Sequence, residues 1–170
     1  MKLLHINLSN SILVKIAFFL TFILPTSLSA NTHSIDLNTT IDNATKHNKQ
    51  VAVFFHMNNC AYCNRMENDT LQNDSIRNMI KKDFILVDIN ISQNKNGVVF
   101  NDKTYTNHQF AKSSGVTFYP TVLFFDKDYN VSYKVRGHRN SEKFKKILEF
   151  IQTKSYEWMD FFDYEKEGKE

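Results

Sequence analysis

The chain has 170 residues, of which 42% are hydrophobic and 23% charged, and its formal net charge at neutral pH is +3. This length and composition predict a single globular domain that is large enough to bury an apolar core. The small net charge, without a basic stripe, argues against a nucleic-acid partner.

The first thirty residues have the organisation of a secretory signal peptide. Their only charged residues are Lys2 and Lys15, and the nine-residue apolar run IAFFLTFIL follows Lys15. Small residues come next, at Ser27, Ser29 and Ala30. Since a helix needs ~20 apolar residues to cross a bilayer, an uncleaved anchor is the weaker alternative. Residues 31–170 are therefore expected to be periplasmic or otherwise extracytoplasmic.

The next part of the chain predicts a helix, a buried strand and a second helix. A helix is indicated between residues 34 and 49, and VAVFF (51–55) is typical of a buried strand. From Cys60 to Lys82 the chain contains no proline. Its apolar side chains there follow a roughly helical spacing: Met66, Leu71, Ile76, Met79 and Ile80. The second helix therefore starts at the cysteines.

Cys60 and Cys63 are the only cysteines of the chain, and two residues separate them. A zinc site needs about four ligands, and this motif supplies only two. A structural disulfide gains most when it closes a long loop, whereas this one closes almost none. A redox-active pair is the interpretation that the motif favours over these two.

The position of the pair predicts a role for each cysteine. At a helix N-terminus the unpaired N–H groups favour negative charge, so Cys60 is expected to be the thiolate nucleophile. Cys63 lies three residues on, on the same helix face and within reach of the Cys60 sulfur. We therefore expect Cys63 to be the resolving cysteine.

The second half of the chain predicts three strands and a last helix. FILVDINI (84–91) and VLFF (122–125) are apolar runs of strand length, and NVSYKVRG (130–137) alternates like the second strand of a hairpin. The last helix begins near NSEKF (140–144), with Asn140 or Ser141 as its N-cap. Its apolar stripe consists of Phe144, Ile147, Leu148 and Ile151.

Pro120 lies two residues before VLFF, at the expected first position of a strand, where a residue that cannot donate to the sheet is tolerated. With this proline and the Cys60–Cys63 helix in this order, the chain resembles the thioredoxin family over residues 35–153. The resemblance implies an α/β thioredoxin fold with a central mixed sheet of four to five strands flanked by helices. It also implies that Pro120 is cis and faces a redox-active disulfide, with no metal or other cofactor.

Within that family the chain looks most like the SoxW-type thioredoxin-related exported proteins and, more distantly, the C-terminal domain of the transmembrane reductase DsbD. The SoxW type carries a small hairpin before the helix that leads to the proline, and VVFNDKTYT (98–106) fits it. The aromatic tail, residues 154–170, matches the extra C-terminal segment of such proteins. It is expected either to cover apolar core as an amphipathic helix or to form a partner-binding surface.

Two positions depart from the thioredoxin pattern. Cytoplasmic thioredoxins have a buried aspartate six residues before the first cysteine, which relays protons to the resolving thiol, and this chain has Phe54 there. Before the proline it has Tyr119, where relatives usually carry Ile, Val or Thr. We expect Tyr119, together with Tyr62 inside the motif, to contact the substrate.

His56 and Glu67 are candidates for pKa tuning or proton transfer. His56 lies four residues before Cys60 and would stabilise its thiolate if protonated and close. The alternative is a ring that points to solvent at the end of the strand. Glu67, four residues past Cys63, is expected to share its helix face, with a plain solvated carboxylate as the alternative.

These features predict a monomeric, exported thiol-disulfide oxidoreductase that acts on protein thiols and disulfides. The resemblance to the SoxW type and to DsbD implies the reducing direction, with electrons from a separate membrane donor of the DsbD or CcdA kind. The alternatives are a disulfide oxidase or isomerase, and a non-enzymatic binding or chaperone module in which the disulfide is static.

Overall fold

The computed structural model describes residues 34–93 and 97–167, and the predicted signal peptide lies outside them. Within these ranges no helix has both the length and the apolar character needed to span a membrane. The strands, in chain order, are β1 Ile35–Asp36, β2 Gln50–His56, β3 Phe84–Asn90, β4 Gly97–Phe100, β5 Lys103–Thr106, β6 Thr121–Phe125 and β7 Val131–Arg136.

The helices fill the segments between the strands. They are α1 Leu37–Lys46, α2 Ala61–Arg65, α3 Asp74–Asp83, α4 Asn107–Ser113, α5 Ser141–Gln152 and α6 Phe161–Glu167, with a π-helical segment Met66–Leu71 and a 3₁₀ turn Ser155–Glu157. Side-chain caps fix several starts: Asp36 accepts from Thr39 N–H, and Asn140 accepts from Lys143 N–H. Asn140 is thus the cap of the last helix.

The central sheet has four strands in the order β3-β2-β6-β7. β2 and β3 are parallel, whereas β6 runs antiparallel to both β2 and β7. Because β2 and β3 are parallel, their carboxyl ends meet at one edge of the sheet, directly before the cysteines. This is the mixed α/β thioredoxin fold that the sequence predicts.

The predicted small hairpin is also present, as β4 and β5. It does not extend the central sheet, since β4 pairs in parallel with β1 and forms a separate three-stranded sheet. Phe100 and Tyr105 of the hairpin contact the ring of Phe110 on α4, at centroid distances of 5.7 and 5.8 Å. The hairpin therefore covers one side of the core.

The prediction of one continuous helix from Cys60 to Lys82 is wrong. The α-helix ends at Arg65, the π-helical segment follows, and a new helix begins after Asn73, whose side chain accepts from Ser75 N–H. Apolar spacing continues through this break because the π-helical segment still buries Met66 and Leu71. Periodicity alone therefore does not show it.

Each face of the central sheet buries its own apolar cluster. One cluster joins β2, β3 and β6 to α1 and α4. The other includes Phe54 of β2, Met66 and Leu71 of the π-helical segment, and Phe144 of α5. The π-helical segment, which continues α2, therefore packs on the sheet face that carries Phe54.

The aromatic tail packs largely on this second cluster. Phe161 and Tyr164 of α6 lie 5.4 and 5.0 Å from the fully buried ring of Phe150, measured between centroids. Trp158 and Phe162 remain exposed. The tail thus covers core through one set of rings and leaves two others at the surface.

Candidate active site

Cys60 and Cys63 form a disulfide at the turn that joins β2 to α2, with Cα atoms 5.2 Å apart. Cys60 is the N-cap of α2, and its sulfur accepts a hydrogen bond from Cys63 N–H at 3.1 Å. Cys63 is buried, whereas Cys60 is partly exposed. An attacking group from another molecule therefore reaches Cys60 first.

Polar side chains hold the loop before Cys60 in place. Asn90, at the end of β3, donates to Asn58 Oδ1 at 2.9 Å, and Asn58 N–H donates to Ser92 Oγ at 3.1 Å. Asn59 adopts a left-handed backbone with φ of 57°, which asparagine tolerates better than most residues. The ends of two parallel strands therefore position the redox pair.

Pro120 lies across from the disulfide. The Tyr119–Pro120 peptide bond is cis, and the carbonyl oxygen of Tyr119 lies 4.0 Å from Cys60 Sγ. Gly137 N–H donates to the Pro120 carbonyl at 2.7 Å, and the Thr121 hydroxyl donates to the Phe118 carbonyl at 2.8 Å. The structure thus brings the predicted residues Cys60, Tyr119 and Pro120 together.

Three apolar side chains near the disulfide are exposed. Tyr62 is 62% and Phe118 65% exposed, and Met57 is also open to solvent. Tyr119 is instead half-buried against the core cluster of α1 and α4, and this burial raises the pKa of its phenol. Phe118 was missed by sequence reasoning, although its place beside the Tyr119–Pro120 bond is a signal for it.

The ring of His56 does not point to solvent, so that alternative is wrong. Its Nε2 lies 2.7 Å from Oδ1 of Asp88, and its side chain is only 14% exposed. The ring stacks on Phe54 with a centroid distance of 5.1 Å. The hydrogen bond to Asp88 raises the pKa of His56, the negative charge of Glu67 adds to this, and burial opposes both.

Glu67 is exposed and lies in the π-helical segment, beyond the end of α2. The α-helical spacing that predicted a shared face with Cys63 therefore ends before Glu67. The buried Thr70, three residues on, donates its hydroxyl to the Arg139 carbonyl at 2.5 Å. This hydrogen bond ties the π-helical segment to the loop that contains Gly137.

The family model described as a thioredoxin-like domain matches residues 37–152. The chain belongs to the thioredoxin-like family. No curated protein matches it. Within the described residues, no group of three or more His, Cys, Asp or Glu is placed to hold a metal ion.

Several solved structures are similar to this chain. A thioredoxin-fold protein from Helicobacter pylori is 28% identical, with a TM-score of 0.61 over 82% of this chain and 85% of its own. A thioredoxin from Thermus thermophilus is 19% identical, with a TM-score of 0.55 over 70% and 85%. The oxidised C-terminal domain of DsbD from Neisseria meningitidis is 20% identical, with a TM-score of 0.48 over 69% and 91%.

In this thioredoxin-like domain, Phe54 fills the second apolar cluster and is almost fully buried. Its register partner on β3 is Asp88, whose side chain reaches the edge of the sheet instead of the core. The carboxylate opposite Phe54 in the strand register is therefore at the rim of the sheet. Sequence reasoning did not single out Asp88, because its contact with His56 depends on the register of two strands.

Proposed function

We propose that this chain is an exported thiol-disulfide oxidoreductase that works in the reducing direction on other exported proteins. One observation carries the proposal: the Cys60–Cys63 disulfide lies at a strand-to-helix turn, with the partly exposed sulfur facing the Tyr119–Pro120 bond. A static structural disulfide gains little stability from a loop of this size.

The two cysteines take separate steps in this proposal. The thiolate of Cys60 attacks a substrate disulfide, forms a mixed disulfide and releases one substrate thiolate. Cys63 then attacks the Cys60 sulfur, so that the Cys60–Cys63 bond forms and the second substrate thiolate leaves. The N-cap position of Cys60 and the hydrogen bond from Cys63 N–H favour negative charge on the Cys60 sulfur.

The substrate in this proposal is an extended protein segment. Tyr62, inside the Cys60–Cys63 motif, and Phe118, next to Tyr119, are exposed, and the Tyr119 carbonyl lies 4.0 Å from the Cys60 sulfur. Exposed aromatic side chains of this kind are enriched where proteins bind one another. The surface would therefore guide a polypeptide cysteine to Cys60.

Export and the reducing direction rest on the leader-like N-terminus and on the resemblance to SoxW-type proteins and to DsbD. A reductant outside the cytoplasm must be recharged continually, since that compartment tends to oxidise thiols. We therefore propose a membrane electron donor of the DsbD or CcdA kind. The protein would act as a monomer, without a cofactor beyond its disulfide.

Trapping tests the assignment of the two cysteines. A Cys63→Ser variant should accumulate mixed disulfides with partner proteins that a reductant releases, because Cys60 attacks and nothing resolves the product. A Cys60→Ser variant is the matched control and should trap nothing. The opposite pattern, or no adduct with either variant, would contradict the proposed function.

Equilibration with a glutathione buffer tests the direction. Reductants of this fold have reduction potentials of about −270 mV, and strong oxidants have reduction potentials of about −120 mV. A value toward the reductant end is expected. A value toward the oxidant end, with rapid oxidation of a reduced unfolded substrate, would replace the reductase by an oxidase.

A further inference from the structure

The resolving cysteine has a proton-transfer problem that the apolar core does not solve. Cys63 is 1% exposed, so bulk water does not reach its sulfur in the described structure. Its thiol must lose a proton before it attacks Cys60, because the thiolate is the nucleophile. Phe54 and Met66, which belong to the cluster under this helix, carry no ionisable group.

His56 is an ionisable side chain on the sheet face that carries Phe54. Residues 54 and 56 point to the same face of β2, and the stacked rings of Phe54 and His56 show that they do. The π-helical segment that continues α2 packs on that face through Met66 and Leu71. His56 therefore lies at the carboxyl end of β2, just before the loop that leads to Cys60 and α2.

Carboxylates flank His56 from two elements. Asp88 on β3 lies 2.7 Å from Nε2, and Glu67 on the π-helical segment is close enough for its charge to raise the pKa of the ring. Because Nε2 lies against the Asp88 carboxylate, Nδ1 is the ring nitrogen that can exchange a proton with another group. This arrangement orients a base and stabilises its charged form.

A surface cavity connects these carboxylates to solvent. Its volume is about 530 Å³, and Phe54, Glu67 and Asp88 line it. α3 contributes Asp74, Arg77 and Lys81 to the same cavity, and Asp74 lies 3.5 Å from Arg77. Asp88, which contacts His56 and lines this cavity, thus gives a proton on the His56 ring a route to water.

We propose that His56, oriented by Asp88, accepts the proton of the Cys63 thiol at the rim of the sheet instead of in its core. This inference rests on the proposed redox function of Cys60 and Cys63. It assigns His56 as the proton acceptor and Asp88 as the positioning residue that orients it.

The step balances as follows in a mixed disulfide of Cys60 with a substrate. The Cys63 thiol passes its proton to Nδ1 of His56, directly or by way of a water molecule. The Cys63 thiolate attacks Cys60 Sγ, the Cys60–Cys63 bond forms, and the bond from Cys60 to the substrate breaks. The electron pair leaves on the substrate sulfur, which takes a proton from solvent, and His56 releases its proton through the cavity.

The reduced protein and an aromatic disulfide reagent, 5,5′-dithiobis(2-nitrobenzoate), separate this step from the first attack. Each turnover releases two coloured thiolates: the first when Cys60 attacks and the second when Cys63 resolves. In the wild type, the rate of the second release should rise with an inflection above 6.5, since the pKa of His56 is raised. Stopped-flow absorbance between pH 5.5 and 9.5 measures both rates.

His56→Gln should slow the second release at least about tenfold near pH 7, within the range of general-base effects, and leave the first unchanged. Its profile should then follow the thiol itself, at about pH 8.5 or above. Asp88→Asn, a substitution on an exposed side chain, should move the inflection to lower pH. Asp74→Asn is the matched control, a carboxylate of the same cavity that faces Arg77, and should change neither rate.

The inference is overturned if His56→Gln and Asp88→Asn leave the second release and its pH profile as in the wild type, or if both releases slow equally. Absence of a second release from the wild type would instead contradict the proposed function, because Cys63 would then not resolve at all. The two failures are therefore distinguishable in one experiment.

Discussion

Replacement of the buried Thr70 by valine tests the contact that joins the redox segment to the Pro120 side of the site. The Thr70 hydroxyl is fully buried and donates to the Arg139 carbonyl at 2.5 Å. Gly137, two residues before Arg139, donates to the Pro120 carbonyl at 2.7 Å. These two hydrogen bonds therefore link the π-helical segment, through residues 137–139, to Pro120.

The size of the effect follows from the burial of this hydrogen bond. A lost hydrogen bond costs about 1 kcal/mol, and a buried carbonyl left without a donor costs about 1–3 kcal/mol. Valine keeps the side-chain shape, so we expect Thr70→Val to lower the free energy of unfolding by about 2 kcal/mol. With a urea m-value of about 2 kcal/mol/M, the unfolding midpoint should fall by about 1 M at unchanged slope.

Thr40→Val is the matched control, because the Thr40 hydroxyl makes an exposed hydrogen bond to the Asp36 carbonyl at the start of α1. It should change stability by less than about 0.5 kcal/mol. In the oxidised protein, a Thr70→Val midpoint within the error of Thr40→Val would refute the reasoning that the Thr70 hydrogen bond holds the π-helical segment. A fall in slope would point instead to a change in the unfolded or native ensemble.

Two further predictions concern the site. Pro120→Ala should slow disulfide exchange with a protein partner more than it slows the reaction of Cys60 with a small thiol reagent, because only a protein partner places its backbone beside Pro120. Equal slowing of the two rates, measured in parallel, would contradict this. Because Asp88 raises the pKa of His56, their contact stabilises the fold fully below the unfolded value of about 6.5 and loses that effect as pH rises through the folded pKa. Asp88→Asn should therefore cost more stability at pH 5.5 than at pH 8.5 in urea titrations, and an equal cost at both would contradict the sign.

Much of the fold could be predicted from local sequence. The run 51–55 is rich in β-branched and aromatic residues, and these residue types predict a strand that is buried on both faces. Asn140 could be identified as a candidate cap because its side chain suits that position. Such features depend on neighbouring residues, which the sequence displays directly.

The remaining features depend on contacts between distant segments. The break at Asn73 is hidden by apolar residues that continue on either side of it. The place of His56 follows from the parallel register of β2 and β3, which brings Asp88 beside it from 32 residues away. No spacing rule along the chain encodes that distance.

The apolar environment of Phe54 has a consequence for acid tolerance. In the described ranges 34–93 and 97–167, the buried polar side chains are those of Thr70, Asn107, Thr121 and Ser155, and none of them ionises in the physiological range. Acid unfolding is driven mostly by native-state carboxylates that must take up protons. None of these four buried side chains takes up a proton at low pH. A fall in pH would therefore destabilise the surface of the domain before its core.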